Sequence, residues 1–368
     1  MWRRPAGLRR PAGAGQDRCA RCAWQGDGTG TVEEIRLRYI VIGAGAVGGT
    51  IGGRLHQSGR DVVLVARGEH LARLREEGLL LVTPDGEHKL DVPAAGGPEE
   101  LALTAEDVLV LAVKSQATEA ALRTWADAPV RGGGRAGDRL AVVTAQNGVE
   151  NERVALRLFR HVYAMCVWLP GTFLEPGRVV AEAAPLSGML MLGRYPSGVD
   201  ARAEAIAADL DDSRFAVFCE PDVMRWKYGK LLTNLDNGLD ALFGRTSGAE
   251  GLAEVAGAVR EEAAAVLAAA GIAAVSGEEQ AARRGDRVRV RPVAGHRRQG
   301  SSTWQSLARG TGDVEVDQLN GEIVLLGRLH GIPTPVNEAV QTAVRDAVRR
   351  RLAPATYPMD DLRALIAS

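Results

Sequence analysis

The run Tyr39-Ile40-Val41-Ile42-Gly43-Ala44-Gly45-Ala46-Val47-Gly48 constrains this chain more than any other stretch, because a short apolar strand runs there straight into a glycine turn. Gly43, Gly45 and Gly48 keep a G-x-G-x-x-G spacing. The first glycine turns the chain sharply, the second admits a pyrophosphate to the backbone, and the third lets helix pack close on strand. The helix that follows then aims its free N–H groups at the phosphates. Glycine is common here, 44 of 368 residues, so the spacing alone is a weak signal. Its context strengthens it, since a second apolar run, Asp61-Val-Val-Leu-Val65, follows after a helix-sized gap. Residues Gly43 to Gly48 therefore read as a dinucleotide site.

Beyond Val65 comes Ala66-Arg67, where an NAD-specific site would carry an acid for the ribose hydroxyls. An arginine pairs with a 2′-phosphate instead, which points to NADP. Glu69 is read as an acid in the first turn of a helix ending at Glu77, where it complements the macrodipole. Leu79–Val82 and His88–Val92, joined through Pro84-Asp85-Gly86, predict a hairpin. The continuous apolar run from Asp107 to Val113 predicts a strand buried on both faces of a parallel sheet, delivering Lys114 to its carboxyl edge, where ligands sit. Leu140 to Thr144 repeats the pattern and delivers Gln146-Asn147-Gly148; Asn147 is either a left-handed turn residue or a neighbour of the cofactor. Strands at Val162–Leu169, Arg178–Ala183, Gly188–Leu192 and Phe215–Phe218, with a helix at Ala201–Leu210, complete an α/β Rossmann domain expected over 37–219.

A second, helical domain is expected over 220–355. Its first helix runs from Pro221 to about Gly238, with Met224, Tyr228, Leu231, Leu232 and Leu235 on one apolar stripe. Trp226, Lys230, Asn234 and Asn237 share a different arc, which is unlike a solvated face of mixed charges. Gly229 costs about 1 kcal/mol relative to alanine inside a helix, a cost that goes with close approach of another group. Only four of the 45 basic residues are lysines, namely Lys89, Lys114, Lys227 and Lys230. Each is a candidate for proton chemistry that arginine cannot do, although Lys89 is read as a chance member of the hairpin. Ala249–Ala270 predicts a long helix, Arg283–Arg298 a mobile basic loop with a phosphate-binding alternative, and Ser302-Thr-Trp-Gln305 a capping box whose helix N-terminus would hold a carboxylate. Glu315 and Asp317 precede helices expected over Leu319–Leu329 and Asn337–Leu352.

The bounds set by composition agree with two soluble domains. Length exceeds what one core serves comfortably. A net charge of -1 offers nucleic acid or an anionic membrane no electrostatic partner, and no apolar run reaches the roughly 18 residues of a membrane span. Four scattered cysteines suit a cytoplasmic protein rather than a disulfide scaffold. Residues 1–36 lack apolar periodicity and read as a disordered extension. Arg3-Arg4 is followed by no apolar export segment, Cys19-x-x-Cys22 has no second ligand pair, so no metal is expected, and Val32 is an alternative start.

Taken in order, Gly43-Ala-Gly-Ala-Val-Gly48, Val113-Lys114, Asn147-Gly148, Trp226-x-x-x-Lys230-Leu-x-x-Asn234, Ser301-Ser302-x-x-Gln305 and Glu315-x-Asp317-x-x-Asn320-Gly321 resemble the ketopantoate reductases over Arg38 to Leu352. The resemblance implies a Rossmann NADP-binding domain followed by an all-helical domain like that of 6-phosphogluconate dehydrogenase, with the active site between them. It implies NADPH as cofactor, a small 2-oxo acid as substrate, and reduction of 2-dehydropantoate to pantoate for coenzyme A biosynthesis. Lys230 would be the catalytic proton donor, Asn234 and Ser302 substrate-binding residues, and Lys114, Asn147 and Glu315 residues that hold the cofactor or order the cleft. Gly238 stands where the family commonly has a further asparagine, and Asn237 is the candidate to replace it. A reductase of another 2-oxo acid, a non-catalytic nucleotide-binding regulator and a homodimeric assembly stay open.

Overall fold

In the computed structural model of the chain the described residues are 36–244, 250–296, 300–310 and 312–368. The extension read over 1–36, with Arg3-Arg4, its cysteine pair and Val32, lies outside them except for Arg36.

The chain opens with β1 (Arg38–Ile42), α1 (Ala46–Gln57), β2 (Asp61–Val65) and α2 (Gly68–Glu77). A hairpin of β3 (Leu79–Thr83) and β4 (Gly86–Leu90) and a short β5 (Ala94–Ala95) lead to β6 (Asp107–Leu111) and α3 (Thr118–Ala126). Then come α4 (Ala136–Arg139), β7 (Ala141–Thr144), α5 (Asn151–Leu156) and β8 (His161–Trp168). Four strands follow, β9 (Gly171–Glu175), β10 (Arg178–Ala181), β11 (Ala183–Pro185) and β12 (Gly188–Arg194), before α6 (Ala201–Asp212) and β13 (Phe215–Cys219).

The main sheet has eight strands in the order β13-β12-β8-β7-β6-β1-β2-β5. Its strands from β8 to β5 run parallel, and β12 and β13 run against them. Strand order reverses at β1, with β2 on one side and β6 on the other, which is the crevice where doubly wound sheets take ligands. Ile42 is in register with both Val65 and Leu111, and Leu111 with Thr144. Four strands therefore end flush and release their following residues at one edge. Both faces of this sheet are packed: Tyr39, Val41 and Leu64 lie in one core, Ile40, Leu109 and Val142 in another. Each such fully buried aliphatic contributes about 1.5–3 kcal/mol. A smaller sheet, β4-β3-β10-β9, covers α1.

The C-terminal half is helical: α7 (Val223–Asn234), α8 (Asp236–Phe243), α9 (Leu252–Ala269), α10 (Gly277–Arg284), α11 (Ser302–Ala308), α12 (Asn320–His330), α13 (Pro335–Arg349) and α14 (Met359–Ala367). The apolar stripe of α7 joins its core through Leu231 and Leu235, with Val259, Ile323 and Val340. One segment departs from the expected loop over Arg283–Arg298. Arg283 and Arg284 end a helix, and β14 (Val288–Val290) pairs antiparallel with β11, Val290 opposite Ala183. Alternation of Val288 and Val290 with arginine concealed a strand whose partner lies about a hundred residues away in sequence, beyond the reach of local pattern.

Candidate active site

The three glycines after β1 do different work. Gly43 has φ +100°, and a Cβ there would sit 2.9 Å from Val113 N. A Cβ on Gly48 would lie 2.0 Å from Gly43 O, so this glycine is what brings α1 onto β1. Gly45, the N-cap of α1, has no neighbour within 4 Å of a built Cβ, so the turn offers open backbone at the helix N-terminus. That is the cradle a pyrophosphate needs. His70 braces it from α2: its Nε2 donates to Ala44 O at 2.8 Å, while Nδ1 accepts from Gly177 N at 2.9 Å. These partners define one neutral tautomer, and burial holds the imidazole pKa below its ordinary value, with the Ala44 carbonyl opposing. Nothing in the local sequence marks this histidine. Arg67 is the exposed N-cap of α2, two residues beyond Val65, and Glu69 occupies the first turn as expected.

At the carboxyl ends of β6 and β7 a polar network crosses to the helical half. Glu315 Oε1 accepts from Ser115 N and Ser115 Oγ, both at 3.0 Å. Ser115 Oγ also lies 3.2 Å from Asn147 O, and Asn151 Nδ2 donates to that carbonyl at 2.8 Å. Lys114 Nζ donates to Ser306 Oγ and Asp313 O, and burial lowers its pKa against the pull of Glu315. Lys114, Asn147 and Glu315 are thus gathered at the sheet edge, as the sequence led one to expect, with Ser306 an added partner.

α7 carries two lysines toward this edge. Lys227 Nζ donates to Glu152 Oε1 and, at 3.2 Å, to Gln146 O; side-chain exposure is 2% for the lysine and 0% for the acid. Thr144 Oγ1 donates to the same carboxylate oxygen at 2.6 Å. Lysine scarcity marks Lys227 in the sequence, but its acid comes from another element. One turn on, Lys230 Nζ donates to Val167 O of β8 and stands 5.7 Å from the centroid of the Trp168 ring. Burial lowers the Lys230 pKa below the ordinary lysine value; Lys227 adds to the lowering, while Cys166 and Glu315 oppose it. Gly229 has its expected close neighbours: a Cβ there would meet Val275 Cγ2 at 2.5 Å and Gln280 Nε2 at 2.8 Å. Gly238 faces away, since a Cβ would meet Val340 Cγ1 at 2.8 Å inside the helical core.

A cavity of about 910 Å³ is lined by Lys230, Asn234, Asn237, Asn147, Trp168 and Ser302, among others. Asn234 is 9% exposed, and its Nδ2 has no hydrogen-bond partner among the described residues. Trp226, expected on the same face, instead fills a core between α7 and the sheet. The capping box is corrected in register. Ser301 caps α11, accepting from Trp304 N at 3.3 Å, and Gln305 turns to Thr172 Oγ1 at 3.5 Å. Asp240 accepts from Ser301 N, the N-cap amide of α11. Ser302 lines the cavity one residue on.

No helix among the described residues is long and apolar enough to cross a membrane. Residues 39–196 match the family described as ketopantoate reductase PanE/ApbA, and residues 222–348 match its C-terminal family. A 2-dehydropantoate 2-reductase of Halobacterium salinarum is 32% identical over 324 residues, covering 85% of this chain and 99% of that protein. The crystal structure of a PanE/ApbA family ketopantoate reductase from Ralstonia eutropha JMP134 aligns with TM-score 0.69 at 29% identity, covering 85% of this chain and 99% of that one. A D-mandelate dehydrogenase solved with NADH and anilino(oxo)acetate shares the fold, with TM-score 0.70 at 23% identity, covering 85% and 99%. With a glycine turn fit for a nicotinamide dinucleotide, a lysine and asparagines in the facing cavity, and these matches, the chain belongs to the ketopantoate reductase family of oxidoreductases.

Proposed function

We propose that the protein reduces 2-dehydropantoate to pantoate with NADPH, taking 37–219 as the cofactor domain and 220–355 as the substrate domain. NADPH supplies the hydride that reaches the carbonyl carbon. As it arrives, charge grows on the carbonyl oxygen, and Lys230 stabilises that charge and donates a proton to it. Lys230 has N–H bonds to spare, since Val167 O engages one of its three donors. Asn234, Asn237 and Ser302 hold the uncharged oxygens of the substrate. Gly43 to Gly48 and Arg67 take the pyrophosphate and 2′-phosphate, while Lys114, Asn147 and Glu315 order the nicotinamide side of the cleft.

The observation that carries this reading is the unpartnered amide of buried Asn234 one turn beyond Lys230, both on the cavity wall. A buried donor left without a partner costs about 1–3 kcal/mol unless a ligand meets it. Glycine at 238 gives no ground for another substrate, because that position faces Val340 rather than the cavity. NADPH oxidation measured against a panel of 2-oxo acids tests the proposal: ketopantoate should have the highest kcat/KM, and a better acid in the panel would reassign the substrate. We propose further that the enzyme is a cytoplasmic homodimer, by analogy with a structural relative described as a dimeric ketopantoate reductase. Light scattering on the eluting protein checks the dimer, and a monomer mass would remove it.

A further inference from the structure

A 2-oxo acid carries its carboxylate directly beside the carbonyl that is reduced, so a cation near Lys230 on the cavity wall would complement its charge. Arg284, in the last turn of α10, lines the same cavity. Its guanidinium carbon lies 5.5 Å from the centroid of the Trp168 ring, the ring that Lys230 Nζ approaches at 5.7 Å. The two cations are therefore no further apart than the sum of those distances. Neighbouring arginines are engaged elsewhere, Arg283 with Glu220 at 2.7 Å and Arg289 with Asp286. Arg284 has no carboxylate partner among the described residues.

Its place is set by packing rather than chance. Gly229 lets Val275 and Gln280 close on α7, Gln280 Nε2 donates to Val275 O at 3.3 Å, and Ser276 caps α10 by accepting from Glu279 N at 3.0 Å. The docked helix then ends with Arg284 over Trp168. We infer that Arg284 binds the substrate carboxylate and so selects 2-oxo acids over neutral ketones. A guanidinium offers two parallel N–H donors that match a carboxylate, and the indole face beneath it excludes water from one side. Lys230 is left to the carbonyl oxygen. This inference rests on the reduction proposed above.

The test compares ketopantoate with its neutral lactone in the wild type, Arg284→Gln and Arg284→Lys. In Arg284→Gln, kcat/KM for the acid should fall roughly ten- to a hundredfold, mainly through KM, as expected for a lost charge-assisted contact. The lactone should change by less than about threefold, and the KM for NADPH should hold. Arg284→Lys keeps the charge without the fork and should recover part of the loss. Equal losses on acid and lactone, or none on either, would overturn the inference while leaving the reductase reading intact. A wild type inactive on every 2-oxo acid would overturn both.

Discussion

Lys227→Met should be among the most damaging substitutions outside the substrate cavity. It strips the partner from Glu152, a carboxylate with no exposure, and leaves it one hydrogen bond, the 2.6 Å contact from Thr144 Oγ1. Its other oxygen, Oε2, has no partner among the described residues. Removing one member of such a buried pair costs about 3–5 kcal/mol, because the surviving charge keeps its desolvation penalty. Glu152→Gln should cost a similar amount, since Lys227 Nζ would keep only Gln146 O at 3.2 Å as a certain acceptor. Against a domain stability of roughly 5–15 kcal/mol, either loss is large. The double variant Lys227→Met/Glu152→Gln removes both charges of the pair, so it should be more stable than either single one. Urea unfolding at pH 7, with midpoints compared at a common slope, reads the cycle. Single variants within about 1 kcal/mol of wild type, or a double variant whose loss is the sum of the two, would refute the reasoning.

Lys230→Ala should lower kcat by at least roughly 10²-fold with NADPH affinity unchanged, and Lys230→Arg should be nearly as poor; near-normal turnover in the arginine variant would exclude proton donation. Because burial lowers the Lys230 pKa and the ammonium is the active form, the wild-type reduction rate should fall on the alkaline side below the ordinary lysine value of about 10.4, and a flat profile to that pH would contradict this. Arg67→Ala should raise the KM for NADPH roughly tenfold and leave NADH unaffected, whereas equal efficiency with both cofactors in the wild type would remove the argument. Glu322 in α12 has its carboxyl pKa pushed up to about 7, first by burial and then by Glu150. Its folded-state pKa exceeds the unfolded one, so its contribution to stability is full below the ordinary glutamate range and is lost as pH rises through about 7. Glu322→Gln should therefore match wild type near pH 4 and exceed it by on the order of 2–3 kcal/mol at pH 8. Equal unfolding midpoints at the alkaline end would show that Glu322 ionises without cost.

Much of the fold was legible because it is dictated by interactions a few residues long. The turn at Gly43 and the packing at Gly48 follow from missing Cβ atoms, and β6 and β7 from continuous apolar runs. Strands so read end at one edge, which brings Lys114 and Asn147 together. The polar arc of α7 needs nothing beyond helical spacing to put Lys230 and Asn234 one turn apart. The family motifs named the reaction on those residues.

Tertiary structure alone decided which groups face them. Glu152 meets Lys227 across 75 residues, Gly177 meets His70 across 107, and Asp240 reaches Ser301 across 61. No local pattern encodes such pairs, because each partner is chosen by how whole elements dock. Asp240 docked on the N-cap amide of α11, and α10 brought Arg284 to the ring that Lys230 faces. Steric rules act between neighbours in sequence, whereas the charge balance of a cavity depends on every chain segment that reaches its wall.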